Sequence, residues 1–593
     1  MASKDGRRHL TITEGSATMR YETRAEDTNT KGKKEDDGPV FYNKVQVFNR
    51  DLSVVMLSLF AQWRFVERSV YASRKGKKGA EAEAAGAAEK ARLYALSAAE
   101  LDGLLEAEEG GAGIRVLDAL AATGLRSIRY AKEVPGVKSV VSNDVDPDAA
   151  EACGRNIAEN DAAAKCGSQC SDAVQHMIEK KATDSKNPKL MKSTYDVIDI
   201  DPYGSCAPFL DAALQCVSDG GMLCVTSTDM TVLSGGYPET CYGRYGSMPT
   251  KGRYLHEMAL RIVLNTLETT ANKYGRHIVP LLSLSVDFYI RCFVRVYHRP
   301  AEVKRSCFKR AFVLQSSGCP TFYLQPVAKA NGPPETTDRF SCALLHKKPY
   351  TSKVKNKKKK HANDTKDDAV ATSDAVVDSE LEAPVSEEPE VDESIAPPFC
   401  GETGAAFKIG GPIWSSSLHE GDWVVAALDR LEAGVDRYLS TTERIHGVLT
   451  AVSEELPDVP LYYSLPDICG TLHCSSMKMA EVNAALSHAG YRCSQTHREP
   501  DAIKTDAPPR VLWDIFRCWV AKHPISDKRM AESTAAHAKI LSVPPKLRAN
   551  FATTAAQRAP KAKARRWAPN PEENWGPKAA AHGRKRPRAG GAL

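Results

Sequence analysis

The chain has 593 residues, 42% hydrophobic and 26% charged, enough to bury a core and to build several units of ~100–200 residues. Its longest apolar candidate, Ile278 to Val286, holds Pro280 and two serines and falls short of the ~18 residues of a bilayer span, which excludes a membrane channel or transporter. The net charge of +6 is segregated: residues 546–593 carry twelve Lys or Arg and two Glu, a net of +10, leaving −4 for the rest. That contrast predicts a nearly neutral body with a basic tail, either solvated and disordered or suited to a polyanion or transport receptor. The opening MASKDGRRHL lacks an apolar secretory core, so the sixteen cysteines read as reduced thiols, mostly in the core.

In chain order, residues 1–38 are polar and read as partly disordered. Val45, Phe48, Leu52, Val55, Met56, Leu59 and Phe60 then fall at helical spacing, and Ser73 to Arg92 reads as an exposed helix or insertion. Strands alternate with helices from Ile114. The strands are Ile114–Leu117, Ser139–Ser142, Tyr195–Ile200 and Met222–Thr226, the last after a turn at Gly220-Gly221. Helices are expected over Leu125–Glu133, Pro147–Asn160, Ala207–Val217 and Tyr254–Tyr274. Two β-rich runs close the series, Ile278–Val286 and Phe288–Tyr297. In the second, Phe288, Ile290, Cys292, Val294 and Val296 form an apolar face, with Arg291 and Arg295 opposite.

This alternation predicts an α/β fold with a doubly wound, mostly parallel sheet. The last two strands have no helix between them, so they form a hairpin and one runs antiparallel. Such a sheet resembles the class I methyltransferase variant of the fold. Residues 345–396, with six lysines from Lys353 to Lys360 and then an acidic run, form a charged disordered linker. The expected domains are therefore a catalytic unit over 39–305 and an α+β C-terminal unit from 306–344 packed with 397–545. A basic tail follows over 546–593.

Three constellations carry chemistry. In VLDALAATGLRSIR, Asp118 ends a strand and Gly124 opens a helix, so small residues let the backbone approach a ligand at a helix N-terminus. In SVVSNDVDP, Asp144 is placed to accept both hydroxyls of a ribose, while Asp146 before Pro147 reads as a helix cap. Ser171-Asp172-Ala173 lies where a further acid could meet an adenine amine. In DVIDIDPYG, the tetrapeptide Asp201-Pro202-Tyr203-Gly204 stands at the carboxyl end of a buried strand, where ligands of such sheets bind. The acid and the proline carbonyl can accept the N–H groups of an exocyclic amine, and the tyrosine can stack on its base.

The chain resembles the tRNA guanine-26 N2-dimethyltransferases. The matching segments include EGSATMRYE (14–22), VFYNKVQVFNRDLS (40–53), LDALAATGLRSIRYAKEVPG (117–136), DVIDIDPYGS (196–205) and GGMLCVTSTDM (220–230). Others are ETCYGRYG (239–246), HEMALRIVL (256–264), GGPIW (410–414), ELPDVPLYYSL (455–465), KTDAP (504–508) and NPEENWGP (570–577). The resemblance implies methyl transfer from S-adenosylmethionine to N2 of guanine 26 in tRNA, once and then again. It places the cofactor at the Asp118–Gly124 turn, with Asp144 on its ribose and Asp172-Ala173 near its adenine. Arg50 and Arg126 match positions near the cofactor's amino-acid end, and Asp201 matches the residue that holds or deprotonates the guanine amine.

Relatives commonly carry two Cys-x-x-Cys pairs with the spacing of a structural zinc site. Here they read Ser316-Ser317-Gly318-Cys319 and Cys400-Gly401-Glu402-Thr403, so no metal is expected. The basic GRKRPRAGG (583–591) resembles a nuclear import signal, and Lys561, Lys563, Arg565 and Arg566 beside Trp567 could contact RNA phosphates. No stable protein partner and no membrane are expected. The rival readings are an amino-methyltransferase acting on another nucleic acid and a non-catalytic tRNA-binding or folding protein.

Overall fold

The computed structural model describes residues 7–24, 42–107, 113–181, 195–332, 337, 339–343, 397–532, 534–553 and 564–572. The expected linker (345–396) and the basic cluster at 583–591 lie outside them, as do Lys561 and Lys563. The first described element is an antiparallel hairpin, β1 (Arg7–Glu14) with β2 (Ala17–Arg24), inside the segment 1–38 that reads as polar and partly disordered. Hydropathy does not reveal the hairpin because hydrogen bonds anchor it. Thr18 N donates to Asn160 Oδ1 (2.8 Å) and Arg20 N to Asn156 Oδ1 (3.0 Å), while Ala17 and Met19 are buried.

Three helices follow: α1 (Val47–Arg74), α2 (Gly79–Tyr94) and α3 (Ala98–Ala107). The sheet then builds from β3 (Ile114–Asp118), α4 (Leu125–Glu133), β4 (Val137–Asp144), α5 (Pro147–Glu159), β5 (Cys166–Cys170) and α6 (Ala173–Glu179). It continues through β6 (Tyr195–Ile200), α7 (Ala207–Cys216), β7 (Val217–Ser227), α8 (Met230–Leu233), α9 (Pro238–Tyr245) and α10 (Leu255–Asn272). The closing hairpin is β8 (Arg276–Val286) and β9 (Tyr289–His298). Strand order is β5-β4-β3-β6-β7-β9-β8, and only β9 runs against its neighbours, as the alternation implies.

Two details differ from the sequence reading. The edge strand β5, CGSQC, carries too little apolar pattern to announce itself. Gly220-Gly221 does not end an element: β7 runs through it, with Gly220 at φ +68° and a register shift on the facing strand.

Both sheet faces are covered. Leu117, Ile198, Ile200, Ile290 and Val294 face α7 and α10, while Val116, Val197, Met222, Leu282 and Phe293 pack in the other layer with α1 and α4. Arg291 and Arg295 point into this second layer and are buried under α1 instead of facing water. Arg291 pairs with Asp199 at 2.8 Å and Arg295 with Glu67 at 2.6 Å.

Beyond α11 (Pro300–Arg305), β10 (Arg310–Ser316) pairs with β11 (Phe322–Pro326), and β12 (Ala328–Ala330) with β13 (Phe340–Cys342). β10 also pairs with β14 (Phe407–Trp414), so the stretches flanking residues 344–396 join in one sheet. Next come α12 (Gly421–Glu432) and α13 (Thr442–Ser453), which bury Trp423, Val424, Ile445 and Leu449 in the same apolar cluster as α1. Trp423 stacks edge-on against Trp63. The expected C-terminal unit thus shares a core with the seven-stranded sheet. The described parts of the tail are docked too. Trp567 Nε1 donates to Thr496 O (3.0 Å), Arg566 pairs with Glu454 (2.7 Å), and Phe551 packs against Trp519. Among the described residues, no helix is long and apolar enough to cross a membrane.

Candidate active site

The turn between β3 and α4 is shaped by two residues with left-handed backbones, Ala122 (φ +48°) and Gly124 (φ +80°). A Cβ on Gly124 would stand 2.5 Å from Cys153 Sγ, so this position accepts only glycine without rearrangement. Gly124 offers no side-chain cap to α4, whose first-turn N–H groups stay available to a negative or polar ligand. Asp144, at the end of β4, fixes the turn by accepting from Ala122 N at 2.8 Å, while its Oδ1 accepts from Asp146 N at 3.0 Å. Asp146 caps α5 as expected, accepting from Asp148 N at 2.9 Å.

Other expected cofactor residues have more structural occupations. Asp172 caps α6 by accepting from Gln175 N (2.9 Å), and Ala173 behind it is buried. Asp118 is buried beneath the turn and accepts from Ser127 Oγ at 2.7 Å. Burial, and then the negative charge of Asp199, push its carboxyl up to about 7. Arg50 is held by Glu14 through paired bonds of 2.6 Å, and its Nη2 also donates to Asn43 O at 3.0 Å.

Asp201 stands where β6 ends, one strand from the glycine turn, with its side chain 20% exposed. Arg126 Nη2 and Asn49 Nδ2 (3.5 Å) both donate to its Oδ2. Its Oδ1 accepts no bond among the described residues. Pro202 is buried and Tyr203, two residues beyond Asp201, is 59% exposed. Gly204 (φ +91°) closes the loop through Gly204 N to Thr228 Oγ1 (2.8 Å) and Thr228 N to Gly204 O (2.9 Å). Ser205 meets Tyr245 Oη at 2.7 Å, and Tyr245 Oη donates to Asp229 Oδ1 at 2.9 Å. The TSTDM and ETCYGRYG segments therefore brace the Asp201 loop.

Below this loop lies a buried ionic layer that reading the sequence did not assign. Asp199 accepts from both Nη atoms of Arg291 (2.8 Å each) and from Tyr130 Oη (2.5 Å), and Arg126 Nη1 lies 3.4 Å away. Burial would raise Asp199, but Arg291 and Arg126 outweigh it and hold the carboxyl down at about 2. The NRDLS stretch of α1 organises the surroundings. Asn49 reaches Asp201, Arg50 reaches Glu14, and Ser53 accepts from Arg126 (3.2 Å) and Arg291 (2.8 Å). Asp51 Oδ2 accepts from Ser440 N and Thr441 N, both at 2.9 Å, tying the site to the segment that starts α13. The available signal was Asp199 itself: an acid amid aliphatic residues of a buried strand needs a cationic partner.

A family model described as N2,N2-dimethylguanosine tRNA methyltransferase matches residues 20–517. The chain is 40% identical to a mouse tRNA (guanine(26)-N(2))-dimethyltransferase over 581 residues, covering 96% of this chain and 76% of that one. It is 38% identical to the human protein of the same name, covering 96% and 77%, respectively. A solved structure of Trm1 from Pyrococcus horikoshii with S-adenosyl-L-methionine superposes with a TM-score of 0.56 at 23% identity, over 85% of this chain and 98% of that one, a likeness of fold. On the family match and these identities, the chain belongs to the N2,N2-dimethylguanosine tRNA methyltransferase family.

Proposed function

We propose that this protein transfers methyl groups from S-adenosylmethionine to the exocyclic N2 of guanine 26 in tRNA, giving N2,N2-dimethylguanosine. The observation that carries the reading is Asp201: partly exposed at the end of β6, braced on Oδ2, with Oδ1 free of hydrogen bonds among the described residues, and two residues before the exposed Tyr203. The turn residues fit the cofactor, since a left-handed crest, uncapped helix N–H groups and the Asp144 carboxylate suit a nucleoside with an amino-acid tail. When bound, S-adenosylmethionine supplies an electrophilic methyl on a sulfonium.

The chain's own residues do the rest. Asp144 receives the ribose hydroxyls through the lone pairs left over from Ala122 N and Asp146 N. Arg126 faces the cofactor's carboxylate, Arg50 stands behind it on Glu14, and Asp172 and Ala173 border the adenine. Asp201 Oδ1 accepts an N–H of the guanine amine and the Pro202 carbonyl takes the other, so the nitrogen lone pair localises toward the methyl. As the N–C bond formed, the S–C bond would break with its electron pair going to sulfur, and Asp201 Oδ1 would take the proton displaced from the amine. A monomethylated amine keeps one N–H and its lone pair, so Asp201 Oδ1 alone can accept that N–H in the second transfer while the first methyl replaces the contact to the Pro202 carbonyl. Guanine stacked between stems is inaccessible in place, and it is extruded onto Tyr203. The C-terminal segments and basic residues such as Arg565 hold the tRNA, and the basic cluster at 583–591 directs the protein to the nucleus.

Purified protein with labelled cofactor and tRNA transcripts, with and without guanine at position 26, tests the reading. Labelling should require that guanine, and Asp201→Ala should abolish transfer while tRNA still binds. Binding without transfer by the unmodified protein would leave only the non-catalytic reading. Labelling independent of guanine 26 would point to another nucleic acid.

A further inference from the structure

Cys319 and Cys400, the two thiols left from the paired cysteines of relatives, meet inside the C-terminal unit. Their Sγ atoms are 3.6 Å apart. Cys319 sits in the loop between β10 and β11, and Cys400 in the tight turn before β14, where Gly404 N donates to Cys400 O at 2.6 Å. Ser317 N and Oγ both donate to Ala406 O, at 3.0 and 2.8 Å, and a Cβ on Gly318 would stand 2.9 Å from Ala405 Cβ. The two loops are therefore laced together around the sulfurs. The other corners are hydroxyls: Ser316 Oγ lies 3.7 Å and Thr321 Oγ1 3.2 Å from Cys319 Sγ, with Thr403 beside Cys400. Neutral hydroxyls do not replace zinc thiolates, so this residue set does not fit a structural zinc.

We propose that Cys319 and Cys400 are a reversible disulfide site, closed by a peroxide, that takes the place of a metal in joining the β10–β11 loop to the turn before β14. The sulfurs need approach by only about 1.5 Å to reach bonding distance, within the reach of side-chain rotation. Cys319 also lines a cavity of 640 Å³ between the segment 234–255 and the C-terminal unit, through which a small oxidant gains access. Hydrogen bonding between the two sulfurs, in which either can donate, and the Ser316 and Thr403 hydroxyls lower the Cys400 thiol despite its burial and favour one thiolate within the pair. In the first step the thiolate, carried by Cys319 where the pair faces the cavity, attacks a peroxide oxygen, the O–O bond breaks, and the released hydroxide takes up the proton that left the thiol, so that a sulfenic acid and water form. Next, the Cys400 sulfur attacks the sulfenic sulfur of Cys319, the S–O bond breaks, and the hydroxide leaves with the Cys400 thiol proton as a second water. The sum is two thiols and one hydrogen peroxide giving one disulfide and two waters. The bond closes a loop spanning 81 residues, large enough to stabilise the joined form. This inference does not depend on the proposed activity.

The full-length protein is treated with hydrogen peroxide, alkylated under denaturing conditions and mapped by mass spectrometry without reduction. Exposed Cys170 and Cys342 report the extent of surface oxidation. The expected result is a Cys319–Cys400 linked peptide, two hydrogens lighter than its parts and released by dithiothreitol. It should be absent in Cys400→Ser and accompanied in the unmodified protein by a melting temperature several degrees higher. The proposal is overturned if both thiols remain alkylatable once Cys170 and Cys342 are oxidised, or if they are oxidised without joining. It is also overturned if the purified protein holds one zinc per chain that Cys319→Ser/Cys400→Ser loses.

Discussion

Arg126 donates to Asp201 through one guanidinium nitrogen and lies 3.4 Å from Asp199 through the other, so one cation spans the surface carboxylate and the buried one. Under the proposed function it also faces the cofactor's amino-acid end, which makes Arg126 and Asp201 one unit. Arg126→Met should lower kcat/KM for methyl transfer by 100-fold or more (~3 kcal/mol). Asp201→Asn should do comparable harm. The double variant should be little worse than either single one, with a coupling of about 1–3 kcal/mol in a double-mutant cycle. Multiplicative losses would mean that the two side chains act independently.

Gly124 carries two constraints that a double substitution separates. Gly124→Ala places a side chain at φ +80° and against Cys153 Sγ. The left-handed backbone alone costs an alanine about 1–2 kcal/mol, and the clash adds to it. Cofactor affinity by calorimetry and stability by urea melting should both fall. Adding Cys153→Ala should recover the clash component only, leaving a deficit near the backbone cost. Full recovery would show that the conformation carries no strain.

The pair Asp199–Arg291 is buried on both sides, with side-chain exposures of 0% and 1%. Arg291→Met leaves the carboxylate with Tyr130 and a longer contact to Arg126, and removing one partner of a buried pair typically costs about 3–5 kcal/mol. Asp199→Leu/Arg291→Met removes both charges and should unfold at a higher urea concentration than Arg291→Met alone. Equal midpoints would show that Arg126 and Tyr130 already satisfy the acid.

Most of the sheet was legible because each strand is a short aliphatic run and each helix repeats at 3.6 residues. The limits of α4 (Leu125–Glu133) and β6 (Tyr195–Ile200) coincide with the reading. The place of Asp201, Pro202 and Tyr203 at the end of β6 was legible from the buried strand before them, and their chemistry is what the proposed function assigns. What could not be read were long-range pairings: Glu14 with Arg50 and Arg129, Asp51 with Ser440 and Thr441, and Asp199 with Arg291. Apart from Asp199, whose place in an aliphatic strand signals a buried partner without naming it, each of these residues resembles an ordinary surface charge until the fold brings α1 across the sheet. The docking of Trp567 escaped for a similar reason, because a single bond to Thr496 O in a basic stretch leaves no periodic signal.

The ionic layer dictates a pH profile with opposing slopes. Burial alone would raise Glu14, but Arg50 and then Arg129 outweigh it and hold the carboxyl at about 2, below its ordinary 4.5. Asp199 is held at about 2 by Arg291 and Arg126 against the same burial cost. Both folded values lie below the unfolded ones, so their stabilisation is complete above about pH 4.5 and is lost as pH falls toward 2. Asp118 has the opposite sign. Burial and the Asp199 charge raise it to about 7, so the folded chain holds that proton more tightly and loses the advantage as pH rises from about 4 to 7. Each group contributes at most ~1.4 kcal/mol per pH unit. Urea unfolding of Glu14→Gln from pH 2 to 7 should therefore give a shallower acid limb, with a plateau about 1–3 kcal/mol lower at pH 7, where Arg50 and Arg129 lose a buried acceptor. Asp118→Asn should leave the acid limb unchanged and flatten the decline between pH 4 and 7. If Asp118→Asn shifts the whole curve without changing its slope there, the buried carboxyl already titrates near its ordinary value and the coupling to Asp199 is weak.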